Sequence, residues 1–265
     1  MSLALFRLDV KNNATLLLIF CLVMSMYLGI IMYMFDPTSS ASLMEMMETM
    51  PYEMVAAFGF NNIGGDLTGF IAGFYYGFLV FAFPMVYYII LSNRLVCSMV
   101  DSGAFCCLLQ TPTSRKKIIV TQGVYLLGSI AALFSVVYLV GIYVAHSLFP
   151  GLLNVPAYTR LHLSAALITM ALAMICFFYS CLFNETKRSL AFGAGIPLAF
   201  LLLFMIGGVS EDAESFKALS LFSLLDATAI VENGSTAGIN ILFFSMIAIL
   251  FIASVLVFDK KRLPL

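Results

Sequence analysis

Six apolar stretches free of charged residues dominate this chain of 265 residues. They run over about 14–34, 68–91, 118–148, 161–183, 190–208 and 239–258. A hydrocarbon core of ~30 Å needs roughly 20 helical residues to span it, and each stretch meets this length within the error of its boundaries. A charged side chain at the bilayer centre costs about 2.5–3.5 kcal/mol, and all 13 basic and 14 acidic residues lie outside the stretches. The pattern predicts an all-α polytopic membrane protein with six transmembrane helices.

Composition excludes a soluble globular chain of this length. Apolar residues make up 62% of the sequence and charged residues only 10%, which leaves too little polar surface to cover a soluble core. The longest segments between the stretches have about thirty residues, so no separate soluble domain fits between them. We therefore expect one transmembrane domain over residues 1–265, in contact with membrane lipids and without a role in nucleic-acid binding.

The basic residues predict the orientation in the membrane. With six crossings, eleven of the 13 basic residues fall on one side, and only Arg160 and Lys217 fall on the other. The positive-inside rule assigns the larger set to the cytoplasm. We expect a multi-pass protein of the cell membrane with both termini cytoplasmic. The larger set consists of Arg7, Lys11, Arg94, Arg115, Lys116, Lys117, Lys187, Arg188, Lys260, Lys261 and Arg262.

The segments outside the six stretches carry patterns of their own. Residues 1–12 alternate apolar and charged side chains and predict an interfacial helix in the inner headgroup layer, with a frayed terminus as the alternative. The outer segment 209–238 has Phe216, Leu219, Phe222 and Leu225 along one stripe, which predicts a helix on the outer face. In the outer segment 35–67, the side chains of one helical face are Leu43, Met47, Met50, Met54 and Phe58. That face indicates either a helix resting on the outer leaflet or the bundle, or a gate whose pliable Met47, Met50, Met54 and Phe58 contact an apolar cargo.

Motifs for chemistry are missing from the sequence. The two histidines, His146 and His162, fall near the outer ends of their stretches without clustered carboxylates, which favours interfacial side chains over a metal site. No glycine is followed by lysine, so the chain has no P-loop for ATP. The charge-free stretches also argue against an ion-coupled carrier or channel, since such pathways place ionisable groups inside the bundle. We expect no catalytic, cofactor-binding or metal-ligating residue, and no enzymatic activity of the chain itself.

The inner segment 92–117 is the most informative hydrophilic part of the chain. Leu95, Met99 and Val100 fall on one helical face, and Gly103 permits a break. A second apolar face then follows, formed by Phe105, Leu108 and Leu109. Two short helices at the inner surface, with these apolar faces, could dock into a groove on a soluble partner.

The same segment resembles a known family. The run Asn93-Arg94-Leu95-Val96 and the pattern Val100-Asp101-x-Gly103 are similar to the loop between the second and third spans of ABC-2 type transporter permeases. The resemblance continues over nearly the whole chain, in Leu108-Leu109-x-Thr111-Pro112-x-x-Arg115, Thr121-Gln122, His162-Leu163-Ser164-Ala165, Asn184-Glu185-x-Lys187, Gly193-x-Gly195-Ile196-Pro197 and Ser223-Leu224-Leu225-Asp226. Ser102 departs from the basic residue expected after the aspartate, which puts one salt bridge to an ATPase in doubt. Within the family, the chain is similar to permeases of peptide and toxin exporters of the phenol-soluble-modulin type.

The resemblance implies the transmembrane subunit of an ATP-driven exporter of hydrophobic or amphipathic cargo, with peptides or toxins favoured. It implies a cytoplasmic ATPase partner that holds ATP and magnesium, and a second permease that is either a copy of this chain or a paralogue. The residues it assigns to ATPase coupling are Arg94, Leu95, Met99, Val100, Asp101, Gly103, Phe105, Leu108 and Leu109. The alternative function is a non-transporting immunity or sensor protein that binds peptides at its outer face.

Overall fold

The computed structural model describes residues 1–35, 51–58, 65–110, 113–209, 214–231 and 234–261. Within these ranges, six helices are long and apolar enough to cross a membrane, and they match the six predicted stretches one to one. They are span 1 (Leu3–Met34), span 2 (Leu67–Phe74, Tyr75–Leu79 and Val80–Leu95), span 3 (Arg115–Leu148), span 4 (Val155–Leu182), span 5 (Thr186–Val209) and span 6 (Ala237–Lys260). The described residues contain no β-strand. The prediction of an all-α polytopic membrane protein is confirmed.

Span 4 forms the centre of the bundle. Spans 2, 3, 5 and 6 all pack against it, and span 1 lies on the other side of spans 2 and 3. The buried face of span 4 includes the small residues Ala165, Ala171 and Ala173. Small side chains let helix backbones approach closely, which is how helices associate where lipid removes the hydrophobic driving force. This composition explains why span 4 holds the central place.

Successive spans run in opposite directions, so the bundle has two distinct ends. At one end, which we call the basic end, lie the start of the chain, residues 97–109, residues 183–185 and Lys261. Here the Ser2 amide donates to Thr121 Oγ1 at 2.8 Å. At the other, the opposite end, the Asn154 amide donates to Thr68 Oγ1 at 2.9 Å. The cytoplasmic orientation of the basic end stays a prediction from its lysines and arginines.

Span 2 contains a π-helical turn over Tyr75–Leu79 that the sequence pattern did not predict. This wider turn leaves the adjacent residues Tyr75 and Tyr76 both buried inside the bundle. Farther along, Pro84 lies within the α-helical part of the same span, and Pro197 lies within span 5.

The first residues of the chain correct one prediction. Residues 1–12 were expected to form an interfacial helix that turns into span 1, but the helix Leu3–Met34 is continuous. Part of its apolar stripe packs within the bundle: Leu5 is buried, and the Phe6 and Tyr125 ring centroids are 5.7 Å apart, whereas Leu3 and Val10 are exposed. An amphipathic pattern identifies the apolar face of a helix and does not distinguish lipid from protein as its neighbour.

The connections at the opposite end contain short helices, as predicted. They are Tyr52–Ala57, Glu214–Ala218, the 3₁₀ turn Leu221–Leu224 and Ala227–Val231. The predicted gate residues Met47 and Met50, with Leu43, lie outside the described residues. Gly207 and Gly208 at the end of span 5 explain how two of these helices pack so closely. A Cβ on Gly207 would lie 2.7 Å from Lys217 Cα, and one on Gly208 would lie 2.5 Å from the Ala56 carbonyl oxygen.

Candidate functional site

Two short helices at the basic end, Cys97–Asp101 and Phe105–Leu109, form the segment that the sequence selected as a docking element. Gly103 connects them with a φ of 76°, a left-handed conformation that glycine adopts without strain. The predicted break at this glycine is therefore confirmed. We call residues 97–109 the inner hairpin.

The predicted coupling residues divide into a buried and an exposed group. Leu95, Val100 and Phe105 are buried, with Val100 only 5% exposed, and the Phe105 ring packs on Phe258 of span 6 at a centroid distance of 5.2 Å. The apolar faces expected to meet a partner protein therefore include three side chains that meet this chain's own bundle. A groove on a partner and a groove on the bundle demand the same helical spacing of apolar residues, so the sequence could not separate them.

The exposed group surrounds the turn of the inner hairpin. Arg94, Asp101 and Gly103 are exposed, and Met99 and Leu108 are partly exposed. Residues next to them that the sequence did not select, namely Ser102, Ala104 and Cys107, are exposed as well. Leu109 belongs to the second short helix, but its side chain is not described. The accessible surface of the hairpin is thus its turn and not its apolar faces.

Asp101 joins the inner hairpin to span 5. Its Oδ2 accepts a hydrogen bond of 3.1 Å from the backbone amide of Thr186, the first residue of span 5. The first amides of a helix have no partner within the helix, and a carboxylate there also interacts favourably with the helix dipole. A displacement of the hairpin would therefore act on the start of span 5 directly.

The same hairpin contacts the end of span 4. Cys97 Sγ donates to the Phe183 carbonyl oxygen at 3.3 Å. Lys261 binds at this point too, since its Nζ donates to the carbonyl oxygens of Cys181 and Phe183 at 2.9 and 2.6 Å. These are among the carbonyls that a helix leaves without an internal partner at its C-terminus. Burial lowers the pKa of Lys261, and the two carbonyl acceptors hold its ammonium in a fixed place.

Further contacts connect span 3 to span 6 at this end. Arg115 Nη1 donates to the Lys261 carbonyl oxygen at 3.1 Å, and Lys116 Nζ lies 3.3 Å from Asp259 Oδ2. The second contact is solvent-exposed, and exposed ion pairs contribute at most about 1 kcal/mol. Together with the hairpin contacts, they connect the basic ends of spans 3, 4, 5 and 6.

At the opposite end, the two gate candidates that the structure describes behave differently. The Met54 side chain is 48% exposed, whereas the Phe58 ring packs edge-on against Phe78 of span 2 at a centroid distance of 5.0 Å. Phe58 thus holds the short helix Tyr52–Ala57 near the π-helical turn. Only Met54 of the described pair presents a large apolar surface to the outside.

The bundle interior contains a polar network that the sequence interpretation missed. His162 was expected at the membrane interface, but it is buried between spans 2, 3 and 4. Its Nε2 donates to the Phe134 carbonyl oxygen at 2.8 Å, and its Nδ1 accepts from the Tyr76 hydroxyl at 2.5 Å. The carbonyl can only accept, which fixes the tautomer. By contrast, His146 is exposed.

A second interior polar group also escaped the sequence interpretation. Asp9, Asn13 and Gln122 are buried between spans 1 and 3, although the sequence placed Asp9 in the headgroup layer. Asp9 lies outside the apolar stretch 14–34, but the sequence did not predict its burial against span 3. Continuity of the helix Leu3–Met34 is the reason, since it carries residue 9 against span 3.

No protein-family model matches this chain, and no curated protein shows significant similarity to it. The fold establishes the class, a polytopic α-helical membrane protein. Among the described residues, no group of three or more His, Cys, Asp or Glu side chains could hold a metal ion.

Proposed function

We propose that this chain is the transmembrane permease of an ATP-driven exporter of the ABC-2 type, moving hydrophobic or amphipathic cargo such as peptides out of the cytoplasm or the inner leaflet. ATP and magnesium would be held by a separate cytoplasmic ATPase, which docks at the basic end. A second permease, identical or paralogous, would complete the path. The residue patterns of the 92–115 segment suggest the family, and the geometry of the inner hairpin supports the mechanism.

One observation carries the proposal: the turn of the inner hairpin is exposed, and the rest of the hairpin contacts three spans through hydrogen bonds and ring packing. Asp101 binds the start of span 5, Cys97 binds the end of span 4, and Phe105 packs on span 6. A partner that pushes on Met99, Gly103 or Leu108 would therefore move three helices together. This is the property that a subunit without its own nucleotide site needs, because force must reach its helices from outside.

Cargo would follow an apolar route between helices. Met54 at the opposite end is the described residue best suited to contact it, since methionine adapts to varied apolar shapes. The short helices at that end lie on glycines of span 5, so a motion of span 5 caused at Asp101 would reach the helices Tyr52–Ala57 and Glu214–Ala218.

The docking step is tested by copurification with candidate cytoplasmic ABC ATPases. Ala104→Arg changes only the exposed turn, and Met99→Asp places a charge on its partly exposed flank. Each is expected to weaken assembly at least about tenfold, the effect of losing ~1.4 kcal/mol of binding free energy. Ser147→Arg, an exposed change at the opposite end, is the matched control and should leave assembly unchanged. Val100→Asp is unsuitable because Val100 is buried.

The coupling step is tested separately in nanodiscs. Asp101→Ala should leave the complex assembled but reduce cargo transport per ATP hydrolysed, because the bond to Thr186 is lost. Normal transport by this variant would contradict the mechanism. Peptide binding at the outer face by a chain that assembles with no ATPase would instead support the sensor function and contradict the exporter.

A further inference from the structure

A cluster of buried oxygen atoms lies between spans 1 and 3 at the basic end. Asp9 and Asn13 are four residues apart and therefore share one face of span 1, with exposed fractions of 7% and 3%. Gln122 of span 3 faces them and is fully buried.

The hydrogen bonds of this cluster leave three of its oxygen atoms without a partner. Asn13 Nδ2 donates to the Asp9 backbone carbonyl at 2.9 Å, and Gln122 Nε2 lies 3.5 Å from Asp9 Oδ1. Three buried oxygens accept no hydrogen bond, namely Asp9 Oδ2, Asn13 Oδ1 and Gln122 Oε1. No lysine or arginine among the described residues forms an ion pair with Asp9.

Turning the amides does not satisfy these oxygens. If the Gln122 amide rotated by half a turn, its oxygen would face the Asp9 carboxylate and repel it. If the Asn13 amide rotated, its bond to the Asp9 carbonyl would be lost. Buried oxygens without a positive partner are costly, so a cation bound at this cluster would stabilise the fold.

We propose that Asp9, Asn13 and Gln122 bind one monovalent alkali cation, sodium or potassium. Hard cations take oxygen ligands from carboxylates and amide carbonyls, which are the groups left over here. The cluster carries one negative charge, so a monovalent cation neutralises it. A divalent ion would leave a net positive charge in a buried place, and calcium sites generally use several carboxylates.

The position of the cluster indicates where a cation would enter and what it would stabilise. Span 1 has 32 residues and is about 48 Å long, well beyond a hydrocarbon core of ~30 Å. Asp9 lies about 9 Å from the start of that helix, so a cation would enter from the basic end. A bound cation would hold span 1 against span 3. The proposal does not depend on the exporter function.

Thermal unfolding of the full chain in detergent tests the site. At equal ionic strength, sodium or potassium chloride should raise Tm by at least about 3 °C relative to choline chloride, since a ligand of the native state stabilises it by mass action. Asp9→Asn keeps the size of the side chain, removes its charge and should abolish the difference. Glu185→Gln removes an exposed acid at the same end and should retain it.

Two further variants keep the test decisive. Asn13→Ala leaves the carboxylate in place and should reduce the cation effect even if Asp9→Asn does not fold. Gln122→Glu adds a second negative charge and should transfer the Tm response from sodium or potassium to calcium. Equal Tm values in all three salts, or an undiminished salt response in Asp9→Asn, would overturn the proposal. Stabilisation by acid alone, lost in Asp9→Asn, would overturn it too, because a proton would then occupy the site.

Discussion

The two ends of the bundle are held together by different kinds of contact. At the basic end, polar groups bond one span to another: Asp101 reaches span 5, Lys261 reaches span 4, and Arg115 reaches the end of span 6. At the opposite end, aromatic and backbone-to-glycine contacts are prominent beside hydrogen bonds such as the one from the Asn154 amide to Thr68 Oγ1. The Phe35 ring packs on Phe70 and on Phe149, each at a centroid distance of 5.4 Å.

This difference indicates how easily the helices at each end can move relative to one another. Hydrogen bonds depend on direction and hold the basic ends of the spans in one arrangement. Apolar contacts have no such direction, so helices at the opposite end can shift while they remain packed. A force applied to the inner hairpin would thus move the basic end as a unit, and the opposite end would accommodate the motion. Four substitutions test this comparison.

The largest effect is expected at the buried polar network inside the opposite half. His162→Leu removes the donor to the Phe134 carbonyl and the acceptor for the Tyr76 hydroxyl. Leaving two buried groups without partners should cost about 3 kcal/mol of unfolding free energy, measured by denaturant titration in detergent. The matched control His146→Leu alters an exposed histidine and should cost little. A small loss in His162→Leu would mean that the opposite half does not depend on this polar network.

A somewhat smaller effect is expected where span 5 meets the helix Glu214–Ala218. Gly207→Ala places a Cβ against the Lys217 backbone, which must then move away. Overpacking of this kind should lower the unfolding free energy by about 2 kcal/mol. Gly195→Ala in the same span meets no atom within 4 Å and should be neutral or stabilising, since alanine favours helix. Equal unfolding free energies of the two variants would show that the helices at the opposite end move apart to accept an added methyl group without a loss of stability.

The sequence was sufficient to predict the number of spans and their places, because the cost of burying charge in lipid acts on each residue separately. It was insufficient where the outcome depends on which neighbour a face meets. Val100 illustrates this: its helical spacing was compatible with packing in a partner's groove or in the bundle, and in the structure it is buried in the bundle. The exposed turn at Gly103 was predictable, because it rests on the local freedom of glycine.

The burial of the interior polar groups was not predicted from the sequence, for a related reason. Asp9 and His162 look ordinary in sequence, one in a charged lead-in and one near the end of a stretch. Their burial follows from long-range contacts, namely span 1 on span 3 and the π-helical turn that brings Tyr76 to His162. A hint was present in Asn13 and Gln122, amides near the basic ends of two spans, since polar side chains in a membrane bundle tend to meet one another.

At the basic end, Lys261→Met tests the polar cap on span 4. The change keeps much of the side-chain length and leaves the carbonyl oxygens of Cys181 and Phe183 without the ammonium. We expect a loss of about 1.5 kcal/mol in the same titration. Lys260→Met, at an exposed neighbour, is the control and should change stability little. If both variants behave alike, the basic end is not held by this contact.

The smallest effect is expected at the helix Ala227–Val231 of the opposite end. Asp226 Oδ1 accepts from the amides of Thr228 and Ala229, both at 3.1 Å, and from the Thr228 hydroxyl at 2.7 Å. Partial burial alone would raise the pKa of Asp226, but these hydrogen bonds outweigh it and hold the pKa below its usual value of 3.8. Asp226→Ala should cost about 1 kcal/mol at neutral pH through loss of the cap, whereas Asp226→Asn keeps a capping oxygen and should cost less.

The pH dependence of that loss has a definite sign. Because the folded pKa of Asp226 lies below the unfolded one, the charged carboxylate stabilises the fold above the unfolded value of about 3.8. This stabilisation disappears as the pH falls through the folded pKa. The Tm difference between the wild type and Asp226→Ala should therefore be constant near neutrality and shrink in acid. A Tm difference that stays constant into acid would show that Asp226 stabilises the helix without its negative charge. This contact would then resemble the neutral contacts around it at the opposite end.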